Sequence, residues 1–545
     1  MSDIANDKNS IGPSSEFWLR TSWLIAIISV LGLVAANLIF GNLNQDEGWY
    51  LYAAGLISSG KIPYRDFAFT QGPVMPFVYS LAYPLIQWGG LAAGRLFTAA
   101  LGVTGILVAA LLAGRLARPG QNHSAAILCF ILALINVYQV YFCTVVKTYS
   151  LTILFLASAL LTLHYALTHR KAVMIILAAV LLVLAAGTRS SAAVALPVIF
   201  GLLLLEHRRF TFPAWLYFAF GGLITVIFVF GPFLLHCASN FIYLVISYHT
   251  LRHEGNFLTA MMFKAGFVSR VLQAYFVCVA FWVAALAIKQ LRKNDSAGAL
   301  LTSAGSGHEE THNAGISSFL RRCIWISAIA VSLVHLIAPF PYDDYQVFIY
   351  PLFAIVVALM ILEAVPERAG KWVVLAALCI SLLSSVSSPV NQDWFIEGRD
   401  LIWWRIKEQP ALMKLKQTAA KIRSLSSPAD MLLTQDTYLA VEAGRALPHG
   451  LEMGQFSYFP DLTNEQAEKL NVLNRYLLAN LLQNSKAPLA AFSGYAFAIQ
   501  APQITPLSPA DKSIFRQTIR NRYELLETVT NFGQAATELR LYRKK

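Results

Sequence analysis

The sequence predicts an α-helical polytopic membrane protein that ends in a soluble α/β domain. Three observations predict it. The 545 residues are 57% hydrophobic and only 13% charged, with a mean hydropathy of +0.55, whereas soluble chains carry about a quarter charged residues. Apolar runs recur as far as about Ser388, and charge returns to ordinary density after it. The Lys and Arg residues between the runs fall in alternate loops, as topology determinants do.

A membrane span needs about 20 mostly apolar residues. The runs 17–40, 92–114, 124–142, 149–167, 172–187, 191–205, 212–235, 265–288, 323–340, 346–363 and 371–388 predict about eleven transmembrane helices. Arg115/Arg118, Arg170/Lys171, Arg208/Arg209, Lys289 to Arg322 and Arg368/Lys371 mark the cytoplasmic loops. This pattern puts the N-terminal tail 1–16 in the cytoplasm and the C-terminus outside. The membrane domain is expected over 17–390, with outward loops at 41–91 and 236–264, and the outer α/β domain over 391–545. The first loop carries two amphipathic pieces, Trp49–Ser58 and Val74–Trp88, whose aromatics suit the lipid–water interface. The segment Asp295–Asn313 reads as a flexible linker.

In the tail, Ala411–Leu425, Tyr438–Arg445 and Asn464–Asn484 read as helices. Met431–Thr434 and Leu489–Phe492 read as strands, and Tyr523–Phe532 with Ala536–Tyr542 as a terminal strand pair. The net charge of +12 invites a nucleic-acid reading, but cations spread between apolar runs exclude it. The six cysteines form no CxxC and no metal-ligand spacing, and none lies after Cys379, so the tail needs a hydrophobic core of its own.

The chemistry-bearing residues gather in the first loop. Asn44-Gln45-Asp46-Glu47-Gly48-Trp49-Tyr50 is followed by Pro63-Tyr64-Arg65-Asp66-Phe67 and Gln71-Gly72-Pro73. Adjacent carboxylates just after a span can take a proton from an acceptor hydroxyl as it attacks an anomeric carbon. They can equally cap the helix that follows, and both readings hold together if one carboxylate caps and the other reacts. Outward-facing Arg65, Arg95, Lys147, Arg189, Arg252, Lys264 and Arg270 run against the positive-inside bias. Binding a phosphate at the membrane surface is one reason for cations there. His249 and His253 stand at i, i+4, which leaves a divalent metal open without fixing a third ligand. Tyr342-Asp343-Asp344-Tyr345 reads as a solvated loop, with Tyr345 a weaker candidate for the donor site.

These motifs resemble the first periplasmic loop of the GT-C superfamily, in its bacterial protein O-mannosyltransferase and aminoarabinose transferase branch. Val146-Lys147-Thr148-Tyr149 resembles a family Lys-Pro-Tyr motif with Thr148 where Pro is usual. Gly187-Thr188-Arg189-Ser190-Ser191, Tyr345–Pro351 and the tail pieces Leu433–Asp436 and Ala443–Arg445 are similar to family positions as well. The resemblance implies an inverting glycosyltransferase of the bacterial inner membrane. A sugar would pass from a polyprenyl-phosphate donor to a lipopolysaccharide, lipid-linked glycan or protein acceptor on the periplasmic side. It implies Asp46 as general base, with Glu47 completing the acidic pair. Tyr50, Arg65, Asp66, Lys147, Arg189, His249, Arg252, His253, Lys264 and Tyr345 are the expected substrate-binding residues. Gln71-Gly72-Pro73 departs from the Lys-Pro-Pro of many relatives, so a cation expected near the donor is missing. A flippase of lipid-linked glycans, or a non-catalytic partner of this fold, is the alternative reading.

Overall fold

The computed structural model describes residues 13–210, 212–250, 257–296, 308–386, 409–497 and 507–545. Arg252 and His253 lie outside them, as do residues 297–307 of the expected linker. The linker's flanks are helical, up to Ser296 and again from His308.

Helix α1 (Pro13–Phe40) is followed by α2 (Gln45–Ser58), α3 (Val74–Leu81) and α4 (Tyr83–Leu116). Then come α5 (Asn122–Leu134), α6 (Val137–Thr144), α7 (Tyr149–Thr168) and α8 (Ala172–Thr188). Among the described residues six helices are long and apolar enough to cross a membrane, or eight if two bent pairs each count as one span. The expected eleven treated every apolar run as a span. Ala172–Thr188, Ser190–Leu205, Ala238–Ser247 and Tyr350–Ala364 are apolar but shorter than 18 residues, so the count of eleven is not confirmed.

The two bends have local causes. The run 124–142 breaks by 76° between α5 and α6. There Asn136 takes an extended conformation, accepts a hydrogen bond from the Gln139 amide and donates its own side-chain amide to the Ala274 carbonyl. A cap inside an apolar run ends one helix and starts another. The second break, 82° between Phe257–Ala274 and the helix after it, falls at that same Ala274. The two breaks therefore support each other.

The tail forms a four-stranded sheet in the order β1-β2-β4-β3, from β1 (Leu432–Thr434), β2 (Leu489–Ser493), β3 (Tyr523–Phe532) and β4 (Thr537–Lys544). Strands β1 and β2 are parallel, and β4 runs antiparallel to both of its neighbours. The expected helix Asn464–Asn484 is two helices, Asn464–Lys469 and Arg475–Asn484. Between them Asn471 adopts a positive φ of 55° and Leu473 bonds back to Ser457 and Phe459. A helix over Pro509–Arg522, capped by Ser508, was not expected from the sequence.

Two apolar cores organise the molecule. One lies among the apolar helices. The other joins the first loop to the tail: Trp49, Tyr50, Leu51 and Phe69 share it with Leu433, Tyr438, Leu439 and Phe492. The aromatics of α2 therefore face protein rather than the lipid interface expected for them. Polar contacts lock the same junction. Gln45 donates from its side chain to Asp436 and Tyr438, the Leu91 amide to Glu442, and the Leu447 amide to the Tyr52 hydroxyl. The approach is close enough to demand glycine at position 48, where a Cβ would stand 2.1 Å from the Tyr438 amide nitrogen.

Gly48→Ala should therefore push α2 off the tail. A backbone atom cannot yield as a rotamer can, and overpacking of this kind costs about 1–3 kcal/mol. The expected outcome is a lower thermal midpoint for the purified protein and faster proteolytic release of the tail, with membrane insertion unchanged.

Candidate active site

The site is built from the start of α2. Asn44 caps the helix: its side chain accepts from the Asp46 amide at 3.1 Å, while Glu47 reaches back to the Asn44 amide at 2.9 Å. This reciprocal cap satisfies helix-end donors that would otherwise be orphaned. It also divides the two acids between different roles.

Glu47 is fully buried. Arg95, on α4 and equally buried, donates Nε to Glu47 Oε1 at 2.7 Å and Nη2 to Oε2 at 2.6 Å. The same guanidinium donates to the carbonyls of Gly41 and Asn42, and the Val146 amide adds a bond to Glu47 at 3.3 Å. Every oxygen of Glu47 is thus spent on joining the end of α1, the start of α2, α4 and the 145–148 segment. Glu47, expected to complete the acidic pair, has no exposed surface and is paired with Arg95.

Asp46 points the other way and keeps 28% of its side chain exposed. Its Oδ2 lies 3.1 Å from Lys147 Nζ, and its Oδ1 accepts from the Trp49 indole at 3.3 Å. Lys147 also binds Asp344 at 2.9 Å, and the Tyr149 hydroxyl donates to the same carboxylate oxygen at 2.8 Å. Burial opposes the charge on Lys147, yet Asp344 and Asp46 together hold its ammonium well above the ordinary range. The lysine is therefore a fixed cation at neutral pH.

Arg189 follows α8 and stands beside this group. Its guanidinium carbon lies 4.8 Å from the centre of the Tyr149 ring and 4.4 Å from that of Tyr345, and Nη1 donates to Thr148 at 3.1 Å. Among the described residues its Nε has no hydrogen-bond partner although the side chain is buried. Such a donor is an unmet demand for an anion. Tyr50 feels the charges of Asp46, Arg189 and Lys147, and burial followed by Asp46 drives its hydroxyl far above the ordinary value. It stays protonated and can donate. Tyr495 of the tail, whose hydroxyl burial and then Asp46 push upward, feels the charge of Lys147 as well.

Asp46, Tyr50, Lys147, Arg189 and Tyr345 are thus brought together. Others stand apart. Arg65 and Asp66 pair with each other at 2.9 Å, and Asp66 also caps the Ile62 amide, so they shape their own turn. His249 meets the Thr70 carbonyl at 2.8 Å through Nε2, which then carries the proton and leaves Nδ1 as the acceptor nitrogen. Lys264 reaches the Ile337 carbonyl at 3.5 Å. Among the described residues no group of three His, Cys, Asp or Glu side chains is placed to hold a metal.

Asp343 and Asp344 correct the sequence reading most. They are buried rather than solvated, Asp344 on Lys147 and Asp343 between Arg270 at 2.9 Å and the Tyr138 hydroxyl at 2.6 Å. The signal that could have found them is pairing across loops: two outward acids facing two outward cations, Lys147 and Arg270, that already called for a reason.

The two acids of α2 should separate in experiment. Glu47→Gln leaves Arg95 charged and buried, a loss of about 3–5 kcal/mol, whereas Asp46→Asn should leave the thermal midpoint close to that of the wild type. Thermal unfolding of the two purified variants side by side checks this.

No protein-family model matches the sequence, and no curated protein does. Solved structures do. Apo ArnT, the aminoarabinose transferase of Cupriavidus metallidurans, superposes with a TM-score of 0.57 at 14% identity, over 96% of this chain and 98% of that one. The same protein bound to undecaprenyl phosphate gives 0.54 at 11% identity, over 96% and 97%. An oligosaccharyltransferase of Archaeoglobus fulgidus gives 0.43, over 93% and 72%. Over 96% of its length this chain has the fold of ArnT.

Proposed function

We propose that the protein is an inverting glycosyltransferase that takes a sugar from a polyprenyl-phosphate donor, with Asp46 as the general base. The observation that carries the reading is a half-open carboxylate set against a cationic, aromatic-walled recess. Asp46 lies 3.1 Å from Lys147 Nζ, and beside them Arg189 holds an unpartnered buried N–H. That ArnT has been solved with undecaprenyl phosphate bound fits a lipid phosphate as the donor's carrier.

The chemistry follows from the positions. The acceptor hydroxyl attacks the anomeric carbon as its proton passes to an Asp46 carboxylate oxygen. The bond from the anomeric carbon to the phosphate oxygen breaks, and the electron pair leaves with the lipid phosphate. Arg189 and Lys147 neutralise the charge that develops there, where preorganised donors act most strongly. Tyr50 and Tyr345 frame the sugar, and Trp49 holds the Asp46 carboxylate in place. Gln71 replaces the lysine of many relatives, and on this reading Arg189 and Lys147 supply the positive charge instead. The same proposal places the first loop and the tail on the periplasmic face of a bacterial inner membrane, with the domain boundaries near residues 17 and 391. The acceptor is an envelope glycan, lipid or protein.

Release of polyprenyl phosphate from polyprenyl-phosphate sugars, with native membrane lipids as acceptors, tests the assignment. Asp46→Asn should lower kcat by about 10²- to 10⁴-fold with little change in KM for the donor. Wild-type turnover in that variant would remove Asp46 from the chemistry. Arg189→Ala should raise KM for the donor and lower kcat, because it meets the phosphate both before and during its departure; unchanged values would take it out of the donor site.

A further inference from the structure

A second cavity lies on the opposite flank of α2. It encloses about 1000 Å³ between the end of α1, the outer face of α2, the first turns of α4 and the tail. Its floor is apolar and open to the surroundings of the spans: Leu38, Ile39, Leu85, Trp88 and Leu96 line it. Trp88 is 87% exposed and Leu96 54%, an extent of bare apolar surface that soluble proteins avoid and that membrane interfaces favour in tryptophan.

The roof has the opposite character. The tail helix Ala411–Leu425 turns Leu412, Lys416 and Arg423 toward the cavity, spaced so that they share one face. Lys416 and Arg423 are exposed. Glu442 is the acid of the lining, but its carboxylate accepts the Leu91 amide at 2.8 Å, and burial raises its proton affinity. Arg445 is spent on the carbonyls of Ala443, Gly444 and Ser426. Arg423 donates Nη1 to the Glu442 carbonyl at 2.5 Å, so what faces the opening is Lys416 with the remaining N–H groups of Arg423, above an apolar trough that includes Leu38 and Ile39 of α1.

We propose that this cavity is a binding site for a membrane glycerophospholipid with an anionic headgroup, seated with its phosphate on Lys416 and Arg423 and its acyl chains along Leu85, Trp88 and Leu96. Charge complementarity selects the anion. The trough selects a lipid over a free phosphate, which would leave Trp88 and Leu96 bare. The bound lipid would pin the tail to the bilayer on the flank away from Asp46. Because none of the residues reacts in the proposed transfer, the site stands independently of that reading.

Native mass spectrometry of the full-length, delipidated protein tests it, with phosphatidylglycerol or phosphatidylcholine of identical chains added. The wild type should retain one more phosphatidylglycerol than Lys416→Glu or Trp88→Ala, at collision energies that strip phosphatidylcholine. Both substituted side chains are exposed, so their thermal midpoints without lipid should match the wild type. Equal retention of the two lipids, or wild-type retention by Lys416→Glu, would overturn the site. Displacement of phosphatidylglycerol by millimolar inorganic phosphate, with Trp88→Ala binding as the wild type does, would make it a free-phosphate site and overturn the lipid proposal as well.

Discussion

The buried pair of Arg95 and Glu47 is the interaction on which the rest of the site depends. It costs the desolvation of two ions, and only a full set of hydrogen bonds can offset that. Here the set is full: Glu47 accepts from Arg95 twice and from the Asn44 and Val146 amides, while Arg95 also serves the carbonyls of Gly41 and Asn42. Three stretches that are distant in sequence, 41–47, Arg95 of α4 and Val146, converge on one pair of charges. The pair fixes where α2 begins, and hence where Asp46 sits one residue earlier.

The tail completes the arrangement from the other side. Its contacts on α2 close around Gly48, and Asp436 collects donors from Gln45, Tyr438 and Ser493 in a buried position. Burial raises the proton affinity of that carboxylate and the four hydrogen bonds oppose the rise. The first loop and the tail thus share one core. A soluble domain that merely hung from the last span would leave α2 with two exposed aromatic rings and Asp46 without a wall. Function on this account belongs to the junction, not to either part alone.

Much of this was legible in the sequence. Asp46 stands out by its place after the first apolar run, and Lys147 and Arg189 as cations that run against the expected loop pattern; the structure sets the three close together. Strands β1, β2 and the terminal hairpin followed from alternation and turn residues. Other features were hidden for physical reasons. Apolarity does not reveal where a run bends, so Asn136 turned one apparent span into two helices. Ion pairing is a property of three-dimensional neighbours: nothing near Glu47 in the chain announces Arg95, and nothing near Asp344 announces Lys147. Arg65 looked like a ligand for phosphate, but its nearest acid, Asp66, is its partner.

Among the described residues of the recess, the pairing of Glu47 leaves Asp46 as the open carboxylate, and on the proposed reading it acts as base in one direct displacement. A double displacement would need a nucleophile and an acid–base group. The most direct measurement is therefore the anomeric configuration of the product, by NMR, from a polyprenyl-phosphate sugar of known configuration that the purified protein accepts. The account predicts inversion at the anomeric carbon. Retention would contradict it, because it would require a covalent sugar–enzyme intermediate that this division of the two acids does not provide.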